Sequence, residues 1–144
     1  MAMTTMLNTD AVLLVGRLLV SALFIQSGVS KPLAWNAALD EIASFGMPRS
    51  TLLLAPAIAA QLIGGLGVAA GLFTIPCALV LLAFMVPATF YIHGFWRYSG
   101  EARKHHFNGL FQNLTVSGGL ALLLITGPGA WSIDAMMSGT GRAP

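Results

Sequence analysis

Residues 50–92 read STLLLAPAIAAQLIGGLGVAAGLFTIPCALVLLAFMVPATFYI, forty-three positions without a single Asp, Glu, Lys or Arg. A helix needs about 20 apolar residues to cross the hydrocarbon of a bilayer, so this stretch holds two crossings and a turn. The turn is legible at Gly71-Leu-Phe-Thr-Ile-Pro76, where the glycine permits a tight bend. The proline, lacking an amide hydrogen, suits the first turn of a helix. The two crossings, about 52–72 and 76–93, are then antiparallel neighbours. Gly64, Gly65, Gly67 and Gly71 allow a second backbone to come close. Pro56 and Pro87 lie inside the crossings and bend them, because each removes a hydrogen-bond donor.

Working outward, residues 11–29 and 107–126 supply two more spans. Residues 31–49 differ in character. Trp35, Ala38, Leu39, Ile42 and Phe45 recur at three- and four-residue steps with Asn36, Asp40 and Glu41 between them, which suits a short amphipathic helix lying at the interface. The fourth span stops at Thr126-Gly-Pro-Gly129, and Trp131 stands where an interfacial anchor belongs. The polar tail beyond is too short to fold alone. The expected fold is all-α: one domain, 1–144, forming an integral membrane four-helix bundle with a short interfacial amphipathic helix between helices one and two.

Whole-chain totals agree. Of 144 residues 56% are hydrophobic and 8% charged, and the mean hydropathy is +0.80. A soluble domain carries about 25% charged residues; a surface this poor in charge faces lipid. The net charge of +2, with most basic residues in two short connections, leaves no basic patch for a nucleic acid. Cys77 is the only cysteine, which excludes an internal disulfide, a C-x-x-C pair and a thiolate cage. Three histidines without a carboxylate at ligand spacing argue against a metal site. Met1–Asp10 has no Lys or Arg, so the first span reads as a retained helix and not a cleaved leader. The connections after spans one and three hold Lys31, Arg49, Arg97, Arg103 and Lys104, against Arg142 on the other side. The positive-inside rule places those connections in the cytoplasm and both termini outside.

Polar groups inside hydrocarbon are costly and point to function. At 100° per residue, Arg17, Ser21, Phe24, Gly28 and Lys31 fall on one line of the first helix, read here as the face turned into the bundle. No acid lies inside a span. Counting rises along the helices puts Arg17 and Gln61 about 5–6 Å apart in depth, so Gln61, a backbone carbonyl, water or a ligand headgroup would answer the guanidinium. A second cluster forms at the cytoplasmic ends: His93, Trp96, His106 and Asn113, with Lys31 ending helix one on that side. Imidazoles and amides around an aromatic-lined opening suit a quinone carbonyl, a proton relay or, less well, a haem. Glu101 is expected to pair with Arg97 or Arg103. No nucleophile–base pair, carboxylate dyad or phosphate-binding loop is present, so the residues by themselves name no reaction.

Four stretches, taken in order, resemble the DoxX family of small bacterial and archaeal membrane proteins. They are Gly16-Arg17-Leu-Leu through Phe24, Ser27-Gly28 and Lys31; Gln61-Leu-Ile-Gly-Gly65 through Gly71-Leu-Phe-Thr74; Tyr91-Ile-His93-Gly-Phe-Trp96; and Phe111-Gln112-Asn113-Leu114 through Gly118-Gly119 to Gly127-Pro128-Gly129 and Ser132-Ile-Asp134. The resemblance implies a multi-pass protein of the bacterial inner membrane, an accessory or quinone-interacting subunit of a respiratory or redox system. Its implied partners are membrane lipids, other subunits of such a complex, or a second copy of the chain. Members often carry Glu where Gln61 stands and Lys where Gln112 stands, so a charge pair is replaced here by two amides. The thiol-redox branch needs paired cysteines, and Cys77 is alone. Arg17, Gln61, His93, Trp96, His106 and Asn113 are the expected ligand contacts. A scaffold recruiting soluble proteins through its basic loops, and a membrane enzyme acting on a lipophilic substrate, are the alternatives.

Overall fold

The computed structural model describes residues 8–139; Arg142 lies outside them. The chain forms α1 (Thr9–Leu33), α2 (Trp35–Ser44), α3 (Thr51–Ala70), α4 (Thr74–Ile92), α5 (Gly100–Thr126) and α6 (Ile133–Met137), with a 3₁₀ turn at Phe95–Arg97. Among the described residues there is no strand. Helices α1, α3, α4 and α5 are long and apolar enough to cross a membrane. The fold is a helical membrane bundle, and α2 is the short amphipathic helix between its first two spans. The end carrying Arg49, Arg97, Arg103 and Lys104 is called the basic end below; the opposite one, where α3 turns into α4, is the hairpin end.

Local signals set most boundaries. Asn8 caps α1 by accepting from Asp10 N–H at 3.0 Å, and Ser50 caps α3 by accepting from Leu52 N–H at 3.2 Å. Gly71 ends α3 in the left-handed conformation, φ 68°. Helix α1 runs past residue 29 to Leu33; Pro32 sits in its last turn, where the missing amide hydrogen forfeits one bond and the helix stops shortly after.

The buried residues of α1 are Arg17, Ser21, Phe24 and Gly28, four of the five on the stripe read from the sequence. They pack α1 against α3 in a register the glycines make visible. A Cβ on Gly28 would meet Leu62 Cγ at 2.7 Å, one on Gly65 would meet Ile25 Cγ1 at 3.0 Å, and one on Gly71 would overlap the Arg17 guanidinium. Facing positions therefore sum to about 90. Arg17 stands opposite the last residue of the α3 turn, ten positions from Gln61, or about 15 Å along the axis. The expected closeness of Arg17 and Gln61 is thus replaced by wide separation. Counting from the span edges assumed α1 and α3 level, whereas α1 is shifted toward the hairpin end by about eight residues, roughly 12 Å.

The overhanging end of α1 is covered by the segment after α5, which does not trail off as a free tail. Asp10 Oδ1 accepts from Ala130 N–H at 2.8 Å, and the Arg17 guanidinium donates to the Trp131 carbonyl. Asp134 then joins this segment to the hairpin. It accepts from Phe73 N–H at 2.8 Å, Thr74 N–H at 2.9 Å and Thr74 Oγ1 at 2.7 Å, while its own N–H donates to Gly71 O at 2.8 Å. In effect Asp134 is the N-cap that the α4 sequence lacks. It also holds Phe73 in the left-handed region, φ 46°, a conformation that costs a non-glycine residue about 1–2 kcal/mol. Inside the bundle, Phe24, Val68, Ala78, Leu81, Met85, Leu120 and Leu123 form the main core.

Burial alone would raise the Asp134 carboxyl, but the bonds from Thr74 and Phe73 and the Arg17 charge outweigh it and hold the group below its ordinary value of 3.8. A carboxylate so favoured contributes stability in full above that ordinary value and loses it as pH falls through the lowered one. Asp134→Ala is expected to cost about 1–3 kcal/mol at neutral pH, read as thermal unfolding in detergent. The difference between variant and wild type should shrink below pH 3.8; a difference constant across that range would contradict the capping role.

Candidate functional site

Because α1 is shifted outward, it ends at Leu33, opposite about residue 57 of α3, and leaves space at the basic end. Helix α2 turns across this gap. Its Ala38 and Leu39 are buried on Leu54 and Ile58 of α3, and Arg49 pins the connection through Asp40 at 2.7 Å and Asn36 at 3.3 Å. Between α1, α3 and α4, with α2 as its floor, lies a cavity of about 660 Å³. Small-molecule pockets have volumes of about 300–1,000 Å³. The walls are mostly apolar, with Phe24, Leu54, Phe84 and Met85 prominent.

Polar groups enter from every side. From α3 comes Gln61, 4% exposed, with Oε1 bonded to no protein atom. A buried amide oxygen left so costs about 1–3 kcal/mol. Helix α1 brings Ser27 and Lys31, whose Nζ donates to Ser27 Oγ one turn back. By the α1–α3 register Lys31 faces about residue 59, some 12 Å in from the start of α3. It is therefore deep in the bundle. Glu41 of α2 lies on the rim within electrostatic reach. Asn113 of α5 borders the cavity and donates to Thr89 Oγ1 at 3.1 Å, which donates in turn to Met85 O at 2.7 Å.

His93 closes the basic end of the cavity. Its ring packs where any Cβ on Gly109 would have to go, so that glycine makes room for the imidazole. The ring centroid of His106 is 5.8 Å from that of His93, and His106 is stacked on Tyr98 at 4.0 Å and 18°. Both Nδ1 atoms are buried without a protein partner.

Of the residues expected from the sequence, then, Gln61, His93 and Asn113 border one cavity and His106 backs His93. Arg17 is at the hairpin end. Trp96 is 55% exposed on the 3₁₀ turn, edge-on to Phe95 at 5.4 Å. Sequence reasoning missed Ser27, Lys31 and Glu41 as cavity residues. The available signal was the Ser27–Lys31 spacing of four, which puts the hydroxyl one turn from an ammonium on the inward stripe and was hidden by placing the end of the first span at 29. The surface pairing also differs: Glu101 bonds Lys104 at 2.7 Å, one turn along the same helix, and neither arginine. Among the described residues no group of three His, Cys, Asp or Glu side chains is placed to hold a metal ion.

A sequence model of the DoxX family matches residues 12–94, more than half of the chain. The chain belongs to the DoxX family. Every DoxX-matched residue from Leu23 to His93 that borders the cavity lies in that stretch, and Asn113 is outside it. Two curated relatives come from Escherichia coli strain K12. The chain is 34% identical to inner membrane protein YqjF over 129 residues, covering 90% of this chain and 94% of the relative. It is 29% identical to inner membrane protein YphA over 122 residues, covering 85% and 87%. No solved structure matches.

An ammonium held deep in the bundle by one hydroxyl is a poor structural element. Lys31→Met, similar in length and apolar, should leave the unfolding temperature in detergent unchanged or raised. A stability loss beyond about 2 kcal/mol would mark Lys31 as part of the scaffold.

Proposed function

We propose that this protein is a DoxX-family protein of the inner membrane that holds a quinone-type lipophile in the cavity between α1, α3 and α4. On this reading it serves as an accessory or quinone-interacting subunit of a redox system, with its basic end in the cytoplasm. The observation that carries the reading is Gln61: almost wholly buried, facing an apolar cavity, its oxygen bonded to nothing in the protein. Evolution does not need such an amide for packing, since leucine would fill the place without an orphaned acceptor.

The residues present fit such a ring. An amide both donates and accepts, so Gln61 suits a carbonyl oxygen and equally the hydroxyl of the reduced ring. The Lys31 ammonium and the His93 imidazole offer further donors, and Phe24, Phe84 and Met85 supply flat apolar contact. When bound, such a ring carries two electrons and two protons between its reaction partners. The names of the two relatives support the membrane; the redox setting comes from the family resemblance alone, and the cavity supports the ligand.

The test is equilibrium binding of a decyl-tailed benzoquinone to the protein in lipid nanodiscs. Gln61→Leu is expected to weaken binding about five- to twentyfold, the worth of one buried hydrogen bond. Trp96→Ala, remote from the cavity, should bind as the wild type does. Unchanged affinity in Gln61→Leu would remove the assigned site.

A further inference from the structure

The cavity has two boundaries, and they differ in kind. At the basic end the way to water is floored by α2, whose Ala38 and Leu39 are buried on α3. Along the side, the wall between α3 and α4 is thin. These helices pack closely in the hairpin half, where a Cβ on Gly64 would meet Leu81 at 2.8 Å and one on Gly67 would overlap Cys77, whereas toward the basic end both helices turn residues to the cavity. Facing positions there sum to about 145, so Pro56 and Pro87 stand at the same depth to within two residues. Both prolines border the cavity, and both are exposed on the outer surface of the bundle. Between them the lining residues are small, Ala57 and Ala88, each half-buried. At the same seam Leu53 is 44% and Tyr91 53% exposed while also bordering the cavity. Residues that line a cavity and at the same time face outward mark where it opens. In a membrane bundle, this opening faces hydrocarbon.

We propose that the α3–α4 seam is a lateral portal, framed by Pro56 and Pro87, through which the ligand enters from the bilayer and through which its tail continues to protrude. The inference rests on the ligand reading above and narrows it to a class: a long-tailed, membrane-borne amphiphile, with its head inside and its chain in the lipid. Alanines at 57 and 88 leave the width for a chain. Gln61 and Lys31 lie inward of the opening and meet the head first.

The experiment compares two probes in nanodiscs, the decyl-tailed benzoquinone and the same ring with a methyl in place of the tail. Ala57→Trp/Ala88→Trp narrows the seam and leaves Gln61, Lys31 and His93 themselves unchanged. The tailed probe should lose about tenfold or more in affinity, while the tail-free ring stays within about twofold, because only the chain needs the opening. Equal loss for both probes, or loss for neither, would overturn the portal. A ligand-free measurement keeps the two proposals apart. A nitroxide on Ala57→Cys in a Cys77→Ser background should collide freely with dissolved oxygen and rarely with a water-soluble nickel chelate. If the nickel chelate dominates, the seam faces water and the portal is wrong, whatever the quinones do. If the nitroxide reports lipid but the wild type binds neither probe, the portal stands and the quinone reading falls.

Discussion

A guanidinium buried to 1% exposure in a membrane bundle has to meet a carbonyl or a charge, and in this protein it meets them at the hairpin end. Arg17 reaches the Trp131 carbonyl and the neighbourhood of Asp134, both in the segment that follows α5. Sliding α1 two turns toward the basic end would break the first contact and carry the cation away from the second. The stagger of α1 against α3 keeps both. From the stagger come two further features: an overhang at the hairpin end, which the segment after α5 covers, and a shortfall at the basic end, which α2 crosses and the cavity occupies. Arg17 therefore shapes the cavity without touching it.

The cap at the hairpin end is tied together by polar contacts. Asp134 supplies three acceptor contacts to the start of α4, Ser132 Oγ accepts from Ala135 N–H at 3.1 Å to open α6, and Asp10 ties in Ala130. Each satisfies a backbone donor that a helix end or turn leaves over. A hairpin of two apolar helices has no side chain of its own for this purpose. The acid arrives from sixty positions further along the chain.

The spans, the hairpin turn and the amphipathic α2 were legible in the sequence, because apolar run length and three- and four-residue periodicity are local properties. So was the inward stripe of α1, since helical geometry fixes which residues share a face. The vertical register of α1 against α3 was not. It depends on Arg17 finding Trp131 O and on Gly28 admitting Leu62, contacts between distant parts of the chain. That unknown drew Arg17 next to Gln61 and left Ser27 and Glu41 out of the expected site; Trp96 was misplaced for a separate reason, the 3₁₀ turn after α4 that carries it outward. Gln61 was recognisable as an amide in the middle of an apolar span, and His93 and Asn113 as an imidazole and an amide near the basic end, and they needed no register to be noticed. The capping role of Asp134 was equally invisible, since its partners are Phe73 and Thr74.

The spanning helices are of unequal length. At 1.5 Å per residue, α3 and α4 with 20 and 19 residues extend about 30 Å, whereas α1 and α5 with 25 and 27 extend about 38–40 Å. The surplus of α5 does not lie in hydrocarbon, because its first turns carry Glu101, Arg103, Lys104, His105 and His106. The surplus of α1 is the overhang under the segment after α5. The two long helices therefore project past the short pair at opposite ends of the bundle, one into water at the basic end and one into the cap at the hairpin end.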